Sequence, residues 1–164
     1  MNYKVIDKET YYRKGVFRHF TEDCTCSTSM TARIDVTDLV RYSKMTETKF
    51  YINFLYILSK VLNSREDYRM GYLREKDELI CYDVINPIQY IFHKDTETFT
   101  LVYTEYDEDY EKFYAAALRD AEEAKKTREA RPSDPLAADR TGLPDAMPRP
   151  GDHAPGAADP HGVL

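Results

Sequence analysis

The sequence predicts an α/β domain, and three observations carry that expectation. Residues 49–63, KFYINFLYILSKVLN, are apolar nearly all round and too long for a typical strand, so they read as a buried helix. Three extended segments follow, ELICYDV (78–84), PIQYIFH (87–93) and TFTLVYT (98–104), each rich in β-branched and aromatic residues. Composition then divides the chain: its 14 Tyr and 7 Phe all lie at or before Tyr114, whereas every proline except Pro87 lies beyond residue 130. Only the first part can build a core, and a length of 164 residues allows one ordinary domain.

Taken in order, residues 7–20 place Tyr12, Val16 and Phe20 four apart behind Thr10 as a candidate N-cap, which fits a short amphipathic helix that Gly15 weakens. In SMTARIDVT (29–37), Met30, Ala32, Ile34 and Val36 alternate with Thr31, Arg33 and Asp35, the period of a strand with one buried face. The helix over 49–63 ends at Asn63-Ser64. The three extended segments are separated by Asn86-Pro87 and by residues 94–97, an order that suits antiparallel pairing. From Asp107 to about Arg128, Tyr110, Phe113, Tyr114, Leu118 and Ala121 recur at helical spacing. Acidic residues in the first turn and Lys125, Lys126 and Arg128 near the end suit the helix dipole.

A domain boundary is expected near residue 126. The segment 127–164 has no Phe, Tyr, Ile or Lys and is dense in Ala, Pro, Gly, Asp and Arg, so it cannot bury enough apolar surface to offset its ordering entropy. It reads as a disordered Pro/Ala/Gly-rich tail. A fused or frameshifted reading frame ranks ahead of a Pro-rich linker, because the prolines build no sustained polyproline repeat.

A net charge of −6 and a pI near 5.3, without a basic stripe, argue against a nucleic-acid partner. No apolar run suggests a membrane span, and three cysteines without a disulfide framework suit reduced thiols in a cytoplasm. Cys24 and Cys26, with Cys81, His19 and His93, lack the paired spacing of a structural zinc site, so no metal is expected. The acidic run Asp107, Glu108, Asp109 and Glu111 reads as a dipole-favoured helix start rather than a carboxylate pair for acid–base work. His93 has no accompanying Ser or Asp spacing and reads as a structural histidine, while the tyrosines read as core and pocket packing rather than base-stacking platforms.

Beyond residue chemistry, the chain from 1 to about 126 resembles a known family. The similarity is spread through IDKETYYRKGVFRHF (6–20), STSMTARIDVT (27–37), TKFYINFLYILSKVLNS (48–64), YRMGYL (68–73), ELICYDVINPIQYIFHKDTETFT (78–100) and YDEDYEKFY (106–114). Its most characteristic run is FHKDTETF at residues 92–99. These stretches resemble the trimeric chloramphenicol acetyltransferases.

That resemblance implies an α/β fold with a mixed sheet and packed helices, a homotrimer, acetyl-CoA as cosubstrate without a metal, and acetyl transfer to the 3-hydroxyl of chloramphenicol or a similar small molecule, an antibiotic-resistance activity. In the family, a His of an HHxxxDG motif deprotonates the drug hydroxyl and a Ser hydroxyl stabilises the oxyanion. His19, His93, His153 and His161 lie in no such run, so the chain looks truncated and inactive, with no catalytic residue assigned. Carried over residue by residue, Phe20 and Phe99 match aromatic positions lining the drug pocket and Cys26 a cysteine beside it. Thr28 stands where some members have Phe, and His19 occupies a usually aromatic position. Arg13 matches an arginine that pairs with the Asp of HHxxxDG and holds the catalytic loop, a structural role. The alternative of another class is a non-catalytic remnant that persists as a binding or subunit-association module.

Overall fold

In the computed structural model, which describes residues 2–24, 26 and 28–127, five short strands and four helices are arranged as two antiparallel sheets with helices packed on them. Strand β1 (Tyr3–Ile6) lies on one side of β3 (Glu78–Tyr82) and β2 (Met70–Leu73) on the other, with Val5 and Gly71 both opposite Ile80. Gly71 marks a close approach: a Cβ there would stand 3.2 Å from the Tyr82 ring, which would have to give way. Strands β4 (Ile88–His93) and β5 (Thr98–Tyr103) form a separate hairpin in which Ile88 faces Tyr103, Tyr90 faces Leu101 and Phe92 faces Phe99. The three extended segments are thus all strands, although β3 pairs with β1 and β2 rather than with β4. The α/β class holds, and every pairing among the described residues is antiparallel.

Helix α3 (Phe50–Asn63) and helix α4 (Tyr110–Thr127) make the core. Ile52, Phe113 and Ala117 are fully buried between them, with Leu55, Tyr56, Tyr106, Tyr114 and Leu118 packed around. On its other side α4 lays Ala121 and Ala124 against Ile91 and Val102 of the hairpin, where small side chains let helix and sheet approach. Asn53, buried on α3, ties the helices together: its amide donates to Ser43 Oγ at 2.8 Å and Thr48 Oγ1 at 2.7 Å, and its carbonyl accepts from the Tyr110 hydroxyl at 2.7 Å. Ser43 belongs to α2 (Thr37–Met45), an element that the sequence reading left out.

Two expected elements are corrected. Residues 29–36 are not a strand: they lie outside both sheets, and Met30 and Ile34 are 85% and 68% exposed. Alternation supplies a face, but a strand also needs a neighbour for its backbone groups, and none of the described strands offers one. The Asp35 carboxylate accepts the Thr37 backbone N–H at 2.9 Å, starting α2, and hydrogen bonding by Thr37, from its side chain first and its backbone second, holds that carboxyl below the usual range. Nor is 7–20 one helix. The Asp7 carboxylate accepts from the Glu9 N–H and the Thr10 hydroxyl, closing a turn, so Thr10 caps nothing. Only α1 (Lys14–Arg18) is α-helical, and a π-helical turn at His19–Asp23 follows. The expected tail lies outside the described residues beyond Thr127, which ends α4.

Candidate functional site

The β4–β5 hairpin presents two chemically different faces, because strand side chains alternate. Gln89, Ile91 and His93 of β4, with Thr100 and Val102 of β5, turn toward α4 and are buried. Ile88, Tyr90 and Phe92, with Phe99 and Leu101, turn the other way and are exposed, Tyr90 at 68% and Phe92 and Phe99 at 60% each. Tyr90 and Phe99 touch diagonally across the hairpin, ring centroids 5.5 Å apart. The more polar face is therefore the covered one. Most of its polar groups are paired: Gln89 Nε2 donates to Thr104 Oγ1 at 2.9 Å, Thr104 donates to the buried Asp120 carboxylate at 3.1 Å, and His93 Nε2 meets Thr100 Oγ1 at 2.8 Å, while the buried Gln89 Oε1 has no hydrogen-bond partner.

Phe99 sits on the open aromatic wall. Tyr90 and Phe92, which the sequence reading did not single out as site residues, complete the wall. The signal was available in PIQYIFH, where the aromatic Tyr90 and Phe92 occupy one parity and Gln89 and His93 the other. His93 cannot serve that wall as a base from its own strand, since it points to the opposite face and is buried against Thr100.

The remaining candidates cluster in a second region. Phe20 lies in the π-helical turn, half exposed, with its ring edge-on to that of His19 at 5.1 Å. Cys26 and Thr28 follow on exposed, irregular backbone. The turn is closed by the Cys24 N–H donating to the His19 carbonyl at 2.9 Å, and His19 Nδ1 lies 3.4 Å from Asp23. Arg13 precedes α1, stacks its guanidinium over Tyr12 at 5.3 Å and adds a minor pull on Asp67, whose carboxyl is held low chiefly by the hydrogen bond from Arg65. The aromatic partners of Phe20 and Phe99 are thus His19 and Tyr90, each local to its own region.

Other sequence candidates have structural surroundings. Asp109 Oδ1 accepts the Glu111 N–H at 3.0 Å and Asp107 Oδ1 accepts the Asp109 N–H at 2.8 Å, so the acidic run starts α4. Cys81 is buried in β3, with Cys24 half-buried and Cys26 exposed. Among the described residues no group of three or more His, Cys, Asp or Glu gathers to hold a metal, and no helix is long and apolar enough to cross a membrane. Burial, reinforced by the neighbouring Tyr42, pushes the Tyr110 phenol up to about 12.

Comparison with known proteins gives a consistent result. The family model for chloramphenicol acetyltransferase matches residues 1–139. A chloramphenicol acetyltransferase of Clostridium perfringens is 38% identical over 120 residues, covering 73% of this chain and 54% of that protein. Another, of Vibrio anguillarum, is 32% identical over 138 residues, covering 83% of this chain and 62% of that protein. A solved chloramphenicol acetyltransferase structure superposes with a TM-score of 0.70 at 21% identity over 85% of this chain and 63% of its own, a likeness of fold. The chain spans about half the length of the Clostridium perfringens relative.

Proposed function

This chain belongs to the chloramphenicol acetyltransferase family, and we propose on that premise that it supplies an aromatic drug-binding wall for acetyl transfer from acetyl-CoA to the 3-hydroxyl of chloramphenicol or a similar small molecule. The observation that carries this reading is the open face made by Tyr90, Phe92 and Phe99, a surface suited to stacking on an aromatic ring. Phe20, Cys26 and Thr28 form further wall of the same pocket when acceptor is bound. The small, polar Thr28 widens it, which shifts preference among acceptors.

Chemistry needs a base at the hydroxyl and a donor for the oxyanion. In the reaction the acceptor oxygen attacks the thioester carbon, its proton passes to the base, and the tetrahedral intermediate collapses with loss of the CoA thiol. Neither described histidine stands on the wall: His93 is turned to the buried face of the hairpin, and His19 belongs to the exposed π-helical turn of the second region. Alone, the chain binds without turning over. Arg13, an exposed residue, is the group offered to a carboxylate of the catalytic loop, as a positioning residue, in a trimeric assembly.

A thiol-release assay with acetyl-CoA and chloramphenicol, paired with titration of chloramphenicol against the chain, tests this. Binding that weakens several-fold in Phe99→Ala, with no thiol release, is expected. Turnover by the purified chain contradicts the division between wall and base, and binding unaffected by Phe99→Ala contradicts the wall.

A further inference from the structure

The exposed side chains on the outward face of the β4–β5 hairpin are Ile88, Tyr90, Phe92, Phe99 and Leu101. Four of them are hydrocarbon to the tip. The fifth, Tyr90, ends in a phenol, the one hydrogen-bonding side-chain group in that set. Pairing sets Tyr90 opposite Leu101 and Phe92 opposite Phe99, so Tyr90 is surrounded by Ile88, Phe92, Phe99 and Leu101, none of which accepts a hydrogen bond through its side chain. Tyr103, at the far end of the same hairpin, differs: its hydroxyl accepts from the Asn86 amide, which is itself fixed by the Tyr106 N–H at 2.7 Å. Tyr90 is 68% exposed and its hydroxyl has no partner among the described residues.

The rings of Tyr90 and Phe99 stand at 56° to one another with centroids 5.5 Å apart, so they form a shallow corner rather than a flat plate. An aromatic ring stacked on Phe99 presents an edge to Tyr90. Covering the phenol strips it of water, and a donor left unpaired beneath a ligand is penalised. A ring whose edge carries an acceptor oxygen restores the hydrogen bond, whereas a bare hydrocarbon edge does not. We propose that Tyr90 is a specificity-determining residue of the wall, its phenol donating to a hydrogen-bond-accepting substituent on the substrate's aromatic ring, so that nitro- or sulfonyl-bearing rings are favoured over unsubstituted ones. Phe99 supplies affinity for the face of a ring, and Tyr90 supplies choice at its edge. The proposal rests on the wall reading of the preceding subsection and names the substrate feature that the wall distinguishes.

The test titrates the full chain with chloramphenicol, whose ring carries a nitro group, and with the analogue in which hydrogen replaces that group. The readout is the ratio of the two dissociation constants. The unaltered chain should bind the nitro compound about five- to ten-fold more tightly than the analogue. Tyr90→Phe keeps the ring and removes one exposed oxygen, so the fold should stay intact, which circular dichroism verifies. It should weaken binding of the nitro compound about five-fold, leave the analogue unchanged and bring the ratio close to unity. Phe99→Ala should weaken both ligands together and preserve the ratio. A ratio that Tyr90→Phe leaves unchanged overturns the proposal, and so does an equal weakening of both ligands, the result of a merely structural role for the hydroxyl. Either of those outcomes, with Phe99→Ala still weakening both ligands, leaves the wall standing. Binding of neither ligand, or binding indifferent to Phe99→Ala, defeats the wall reading itself and the proposal with it.

Discussion

The two faces of the β4–β5 hairpin share one backbone and differ in what covers them. Toward α4, Ile91 and Val102 pack on Ala121 and Ala124 while Gln89, Thr104 and Asp120 form a chain of hydrogen bonds. On the other side Tyr90, Phe92 and Phe99 face outward with Ile88 and Leu101 beside them. Hydrophobicity alone would bury the second face and expose the first. Burial here follows the position of α4, and the polar groups beneath it are tolerated because most find a partner, the buried Gln89 Oε1 being left without one. The outward rings then carry little of the folding free energy and are available for binding.

Neighbouring residues on the two faces give the largest contrast. Ile91→Ala removes buried methylenes under α4 and should destabilise by about 2–4 kcal/mol, whereas Phe92→Ala, one residue away, should stay within about 0.5 kcal/mol. Urea unfolding of the two variants measures the difference; equal losses would break the comparison. Thr104→Val keeps the shape but withdraws the hydroxyl that donates to the buried Asp120 carboxylate, and a loss of about 1–3 kcal/mol is expected by the same method. An unchanged midpoint would show that the inner polar chain is ornamental.

A smaller effect should appear with pH. The Tyr110 phenol is raised in the folded chain from 10.0 to about 12, so the folded state holds its proton where the unfolded state releases it. That contribution to stability is complete below pH 10.0 and declines as pH rises toward about 12. Tyr110→Phe should remove this part of the alkaline slope while lowering stability near neutrality through the lost bond to Asn53. An identical slope in the variant would assign the alkaline loss elsewhere.

Much of this organisation is written in local pattern. The apolar helix over 49–63, the three strands after it and the acidic start of α4 follow from periodicity and dipole, and the comparison with known proteins bears out the family from the same stretches. The strand expected over 29–37 did not form because alternation says nothing about whether a neighbour is present. Strands β1 and β2 escaped notice for the opposite reason: at four residues each they are too short to show a period, and pairing with β3 makes them. The helix over 7–20 was shortened by the turn at Asp7, a side-chain competition that spacing of Tyr12, Val16 and Phe20 does not reveal. At the site, resemblance named Phe99, and the parity of PIQYIFH together with the register that sets Phe92 opposite Phe99 adds Tyr90 and Phe92 to the same face.

The aromatic face of the hairpin is open in this chain while the core is closed, and hydroxyl-radical footprinting of the purified chain reads both at once. Tyr90, Phe92 and Phe99 should be oxidised readily and Phe113, fully buried between α3 and α4, should be protected. Tyr90, Phe92 and Phe99 as protected as Phe113 in the dilute chain would contradict the account.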